Sequence, residues 1–340
     1  MTNKTAWLVR LGSIAVATLC TGGTARADAT LLNVSYDVTR ELYKDVDAAF
    51  VASWKKSSGE SIAVRQSHGG SSPQALAVLQ GLQADVVTMN QTSDIDLLVQ
   101  RGGLVDRNWR QAFPDNASPY TTTMVFLVRK GNPKSIKDWN DLATPGTAVI
   151  LPNPKTSGNG RYSYLAAWGW RLQHGGNDAQ AMTLVTQILK NIPVLDTGGR
   201  GATTSFAQRG LGDVLVTFEN EVALIQQEFG PGKFETVYPS SSLLAEPPVA
   251  IVDKYVDAHK TRTQAKAYLD FLYSPAGQEI IAEHHLRPRD PQVMQRHQNT
   301  FPTIKTFTVD QVFGSWDKAQ KTHFADGGTF DQAMTAAHKR

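Results

Sequence analysis

From residue 29 onward the chain alternates short apolar runs with longer stretches whose apolar residues recur at helical spacing, and that alternation leaves few ways to fold. "ATLLNVSYD" reads as a strand. In "VTRELYKDVDAAFVASWKK" Leu42, Val46, Ala49, Phe50 and Trp54 fall on one helical face. "SIAVRQS" is a second strand, "SSPQALAVLQGLQ" a helix and "ADVVTMN" a third strand. Connections of this size between strands make right-handed crossovers on a parallel sheet. The rhythm breaks at "FPDNASPYTTTMVFLVRKGNPKSIKDW", a β-rich stretch between proline-containing segments, and a second α/β series then runs from "TAVILPNP" to "DVLVTFE". The expectation is an α/β protein of two lobes, the second inserted in the first. Residues 28–119 and 244–340 would form the first lobe and 120–243 the second. The chain would cross twice, near 120–128 and 244–252, and a cleft between lobes joined this way suits ligand capture by hinge closure.

The first residues belong to export and not to the fold. Lys4 and Arg10 precede an apolar run over 11–19, and Ala25-Arg26-Ala27 follows as a small-x-small site. This is a secretory signal peptide over 1–27, cleaved after Ala27. A membrane anchor would need about 20 apolar residues. Cys20 raises a lipoprotein reading, but Leu19 stands where a small residue precedes a lipidated cysteine. The leader carries three basic residues, Lys4, Arg10 and Arg26, and no acidic one. Without it the 34 Lys and Arg fall to 31 and match the 31 Asp and Glu. The pI near 8.8 is thus mostly a property of the leader, and the neutral remainder offers no net pull on nucleic acid or anionic lipid. The single cysteine leaves as well. An exported chain without disulfides must rely on its cores, and this length supports two of them.

Three glycine- and hydroxyl-rich turns open helices at the C-terminal ends of strands, where open α/β sheets bind ligands. "QSHGGSSPQALAVLQ" sets Ser71 and Ser72 before Pro73, and Gln74 stands where a capping box with Ser71 would need it. "PNPKTSGNGRYSYLAAWGW" puts Ser157, Gly158, Asn159 and Gly160 ahead of a helix carrying Tyr162, Leu165, Ala166 and Trp168. "DTGGRGATTSFAQRG" repeats the arrangement with Gly198, Gly199 and Gly201. A helix start offers bare N–H donors and about half a positive charge. The Gly-Lys-Ser/Thr ending of a nucleotide-binding loop is missing from all three. Converging in one cleft, such starts would hold a small anion by hydrogen bonds in place of cations.

Arg40, Arg161 and Arg200 lie beside these turns and either touch the anion or brace the loops through carbonyls and carboxylates; the forked guanidinium suits bracing. His68 reads as a loop-supporting hydrogen bonder. No H-E-x-x-H, paired cysteines or G-x-S-x-G occurs, so neither a metal site, a cofactor nor a serine hydrolase is expected. The tyrosines and tryptophans of "RYSYLAAWGW" face a core.

"LLNVSYDVTRELY", "QSHGGSSPQA", "FLVRKGNPK", "PNPKTSGNGRYSYLAAWG", "DTGGRGATT", "RGLGDVL" and "YLDFLYSPAGQE" together resemble the periplasmic sulfate- and thiosulfate-binding proteins of ABC importers, over nearly the whole exported chain. The resemblance implies a two-lobed periplasmic-binding-protein fold of type II that closes on a tetrahedral dianion held by main-chain N–H groups and hydroxyls. It implies a monomeric receptor that delivers sulfate or thiosulfate to a membrane ABC permease. Matched motif by motif, it assigns the ligand to Asp37 (through its N–H), Ser71, Ser157, Gly158, Asn159 and Gly199. Asn159 replaces a glycine common in sulfate-type members, without loss of the N–H. Phe218 is the larger departure: sulfate-type members typically carry a tryptophan there, and a phenyl ring has no donor. Asn90 or Thr217 could supply the missing bond. The phenylalanine, "NPKTSGN" and "DTGGRGATT" look like the thiosulfate branch, whereas "RPRD" and "GGTFDQ" look like the sulfate branch. Two rivals remain at this point. One is a phosphate or molybdate receptor of the same architecture, with Asp37 as acceptor for a protonated phosphate. The other is an exported phosphatase using Ser71 or Ser157 as nucleophile.

Overall fold

The computed structural model describes residues 29–230 and 232–339; the leader and cleavage site expected from the sequence lie outside them. Among the described residues twelve strands form: β1 (Ala29–Tyr36), β2 (Ile62–Gly69), β3 (Val86–Thr88), β4 (Tyr120–Arg129), β5 (Val149–Pro152), β6 (Leu195–Asp196), β7 (Val214–Phe218), β8 (Phe234–Val237), β9 (Ser241–Ala245), β10 (Val249–Ile251), β11 (Arg287–Pro288) and β12 (Lys305–Phe307). One sheet has the order β10-β3-β1-β2, with β1 parallel to both β2 and β3 and β10 antiparallel at the edge. The other follows β12-β9-β4-β7-β5-β6, with β8 and β11 also pairing with β4. This is the two-lobed α/β fold, one sheet to each lobe.

Each sheet carries its own core. Leu31, Val34, Leu42, Val46, Phe50, Val78, Val87 and Leu269 are buried around the first. Phe126, Trp139, Leu165, Leu184 and Val216 are buried around the second. β4 joins them. Its first residue, Tyr120, belongs to the first core and pairs with β11, while Phe126 lies in the second core. A ten-residue strand spanning two cores couples the lobes without fusing them.

The C-terminal tail departs from the expected grouping of 244–340 with the first lobe. β12 runs parallel to β9 in the second sheet. Phe307, Phe313, Trp316, Phe324, Phe330 and Ala337 are buried in the second core. The chain therefore passes between lobes a third time, between Leu286 in the first core and Phe307 in the second. The apolar spacing of the tail helices showed that they must dock, but amphipathic spacing carries no information about which lobe's surface receives them.

Candidate anion site

The helix starts converge. A cavity of about 340 Å³ between the lobes is lined by Asp37, Gly70, Ser71, Asn90, Ser157, Gly158, Asn159, Gly199 and Phe218, among others. Every residue that the sequence assigned to direct ligand contact thus borders one space, joined by Asn90 and Phe218. Tyr36, Val38, Thr156 and Thr197 are wall residues that sequence reasoning left out. A roomier cavity of about 510 Å³ lies against the tail, walled by Trp168, Leu172, Met182 and Phe313. Its walls are mostly apolar, and Lys318 there is accompanied by the Asp178 carboxylate, which would repel a dianion.

The geometry says which donors are left for a ligand. In the Ser71–Leu79 helix the first intrahelical bond is Gln74 N–H to Gly70 O at 2.9 Å. The N–H groups of Ser71 and Ser72 precede it and have no helical partner. The expected capping box is absent: Gly70 is the N-cap, and the Gln74 amide donates to Ser67 instead, at 3.0 Å. In the Gly158–Gln173 helix Ser157 is the N-cap, accepting a long 3.4 Å bond from Gly160 N–H. Its own N–H is used by Asn153 O at 2.9 Å. Ser157 is left with its hydroxyl proton, while Gly158 and Asn159 contribute the N–H groups of the first turn. The Asn159 side chain is occupied behind the wall, donating to Thr217 Oγ1 at 2.9 Å. In the Gly199–Thr203 helix Gly198 is the N-cap, and Gly199 opens the turn into the cavity.

Two glycines are required by close approach. A Cβ on Gly160 would strike the Pro152 carbonyl, and one on Gly158 would strike the Asn90 side chain across the cleft. The lobes are in contact here: Tyr162 Oη donates to Asn90 O at 2.8 Å, and Arg161 donates to Ser72 Oγ at 2.9 Å.

Among the described residues that border the cavity, Asp37 is the only charged one. Its carboxylate is turned towards Arg40 at 3.1 Å and Arg200 at 3.7 Å. Arg200 also meets Glu41 at 3.1 Å, from one lobe to the other. Arg161 is buried and donates to Pro154 O at 3.0 Å as well as to Ser72. Neither these arginines nor His68 borders the cavity. Burial, with the Arg40 charge second, pushes the His68 imidazole below its ordinary pKa.

Asp94 escaped sequence reasoning. Buried 23 residues beyond Ser71, it accepts Ser71 Oγ at 2.5 Å and Ser72 Oγ at 2.7 Å. Burial raises its pKa, and the two serine hydroxyls oppose the rise. The Ser71 oxygen in turn accepts Asn90 N–H at 3.0 Å. No spacing pattern links "SS" to this aspartate; only the fold brings them together.

A family model for bacterial extracellular solute-binding proteins matches residues 33–287. The thiosulfate-binding protein of Pseudomonas aeruginosa is 54% identical over 320 residues, covering 94% of this chain and 96% of its own. The sulfate-binding protein of Salmonella typhimurium is 55% identical over 306 residues, covering 90% and 93%. This chain belongs to the sulfate- and thiosulfate-binding family of extracellular solute-binding proteins. The solved sulfate-binding protein SubI of Mycobacterium tuberculosis superposes with a TM-score of 0.78 at 31% identity, covering 87% of this chain and 99% of that one. In this chain the cavity between the lobes is lined by helix starts, with Arg40, Arg161 and Arg200 off its border.

Proposed function

We propose that this protein is a periplasmic receptor, and not an enzyme, that captures sulfate or thiosulfate between its lobes and hands it, as a monomer, to a membrane ABC permease. The observation that carries this reading is the convergence of three helix starts on one cavity that no lysine or arginine borders among the described residues. Such a wall suits a fully deprotonated dianion: it is rich in donors and asks for no proton in return. The Asp37 N–H, the N–H groups of Ser71, Gly158, Asn159 and Gly199, and the Ser157 hydroxyl are the contacts. Export through the 1–27 leader with cleavage after Ala27, and lobes bounded near 120 and 244, belong to the same reading. A phosphate receptor would want a free carboxylate to accept the ligand's proton, whereas the Asp37 carboxylate is engaged by Arg40.

Titration calorimetry with sulfate, thiosulfate, phosphate and molybdate tests the reading. Micromolar affinity, about −8 kcal/mol, is expected for sulfate or thiosulfate and not for the other two. Tight phosphate or molybdate binding without either sulfur anion would overturn it.

A further inference from the structure

The turn that presents Ser157 to the cavity is held from outside by the C-terminal tail. Lys155 Nζ donates to Phe324 O and Ala325 O, each at 3.1 Å, and to Asp331 Oδ2 at 2.9 Å, with Asp326 at 3.4 Å. Three ammonium protons thus meet three well-placed acceptors. Asp331 sits in the first turn of the Thr329–His338 helix and also takes Gly327 N–H at 2.8 Å, which fixes the carboxylate that Lys155 grips. On the other side of the turn, Arg161 donates to Pro154 O and lies 5.9 Å from the Phe324 ring centroid. One tail residue, Phe324, therefore touches the basic residue before the turn and the one after it. The turn closes on itself through Asn153, whose carbonyl takes Ser157 N–H and whose side chain takes Lys155 N–H. Beyond that internal closure, the turn is attached to the tail through Lys155 and to the 196–197 segment through Asn153 N–H to Asp196 O at 2.8 Å and Thr156 Oγ1 to Thr197 O at 2.9 Å.

We propose that the C-terminal tail is part of the anion site's scaffold, with Lys155 as the positioning residue that ties the Ser157 turn to it. The inference rests on the anion-receptor reading. It goes further in making segment 305–338, remote in sequence and absent from the cavity wall, a determinant of affinity. Lys155 acts here as an anchor; its charge is absorbed by Asp331 and the tail carbonyls before it can pull on the ligand.

The test measures sulfate and thiosulfate affinity, and the melting temperature without ligand, for the full exported chain and its variants. Lys155→Met should weaken binding of both anions by roughly five- to twentyfold, and Lys155→Arg should restore most of the loss. The same Lys155→Met change should cost less in a Ser157→Ala background, because the anchor acts through that turn. Asp331→Asn separates anchoring from simple attraction. It frees Lys155 and removes a negative charge, so attraction predicts tighter binding and anchoring predicts weaker binding. Lys266→Met removes an exposed lysine paired with Asp270, outside the tail and the cavity, and should leave affinity unchanged. Unaltered affinity in Lys155→Met beside a weakened Ser157→Ala, a lower melting temperature with unaltered affinity, or tighter binding in Asp331→Asn would each overturn the inference. Should Lys155→Met fail to fold, Lys155→Arg and Asp331→Asn still decide it. A wild type that binds neither anion would instead refute the receptor reading.

Discussion

Ser71 and Ser157 look interchangeable in the sequence, each a hydroxyl beside glycine at the start of a helix, yet the two lobes use them differently. The Ser157 hydroxyl is an N-cap whose proton remains available, because the oxygen only accepts from Gly160 at 3.4 Å. The Ser71 hydroxyl has spent its single proton on Asp94 at 2.5 Å and its lone pair on Asn90 N–H. What reaches the cavity from Ser71 is main chain. A hydroxyl's chemistry in a site is therefore set by what already holds its proton, and a carboxylate buried behind one serine is enough to remove it from the ligand's contacts.

The comparison breaks most directly at Ser157. Ser157→Ala removes a charge-assisted hydrogen bond worth about 1.5–3 kcal/mol, so sulfate and thiosulfate affinity should fall about ten- to a hundredfold in calorimetry, with the melting temperature little changed. An unchanged affinity would show that the proton points elsewhere.

Phe218 offers the next largest effect. It is buried, packs edge-on against Tyr162 with centroids 5.4 Å apart, and borders the cavity without a donor. Thr217, one of two candidates to replace the missing indole bond, does not border the cavity and already accepts from Asn159. Asn90 does border it, but only its Nδ2 amide could donate, since the buried Oδ1 accepts. Thiosulfate's terminal sulfur is a poor acceptor and can rest on the aromatic face. Wild type should bind thiosulfate at least as tightly as sulfate, and Phe218→Trp should move the ratio towards sulfate by about tenfold, the value of one such bond. Competition titrations read this directly; a strong sulfate preference that tryptophan leaves unmoved contradicts it.

Ser71→Ala should separate stability from binding. It strips Asp94 of one hydroxyl donor and Asn90 N–H of its acceptor, at a cost of about 1–3 kcal/mol in unfolding free energy. Affinity should fall by less than tenfold, because the Ser71 N–H survives. A hundredfold loss with unchanged stability would make the hydroxyl a ligand contact after all.

The lobes, the three helix starts and their convergence were legible because strand alternation and glycine turns are local signals. Asp94, Lys155 and the tail's allegiance were not. Each depends on contacts between residues 22 to 176 positions apart, which no local pattern encodes. The arginines fall between these cases. Their position beside the turns was readable, whereas their attachment to Pro154 O, Ser72 and Glu41 needed the fold.

The smallest expected effect is that of pH on binding, and it tests the whole account of the wall. Main-chain N–H groups and serine hydroxyls do not titrate near neutrality, sulfate stays a dianion, and His68 stands off the cavity. Affinity should vary by less than about threefold between about pH 5.5 and 8, since the nearest imidazole type titrates at about 6.5 only when unperturbed. Stability should not be flat. Burial raises the Glu221 carboxyl to about 7, with Arg200 opposing and Asp37 and Glu41 reinforcing the rise. Burial likewise raises Asp47 to about 6 against hydrogen bonds from Tyr268 and Gln66. A carboxyl whose folded pKa is raised binds its proton more tightly in the native state, so it favours folding at low pH and that contribution is lost as pH rises through the folded value. These two groups therefore lower the unfolding free energy between the ordinary carboxylate range and about pH 7, and Glu221→Gln should flatten that slope in thermal melts. Affinity that fell tenfold on acidification or on alkalinisation would mean that a titrating group touches the ligand and that the wall of neutral donors is misread.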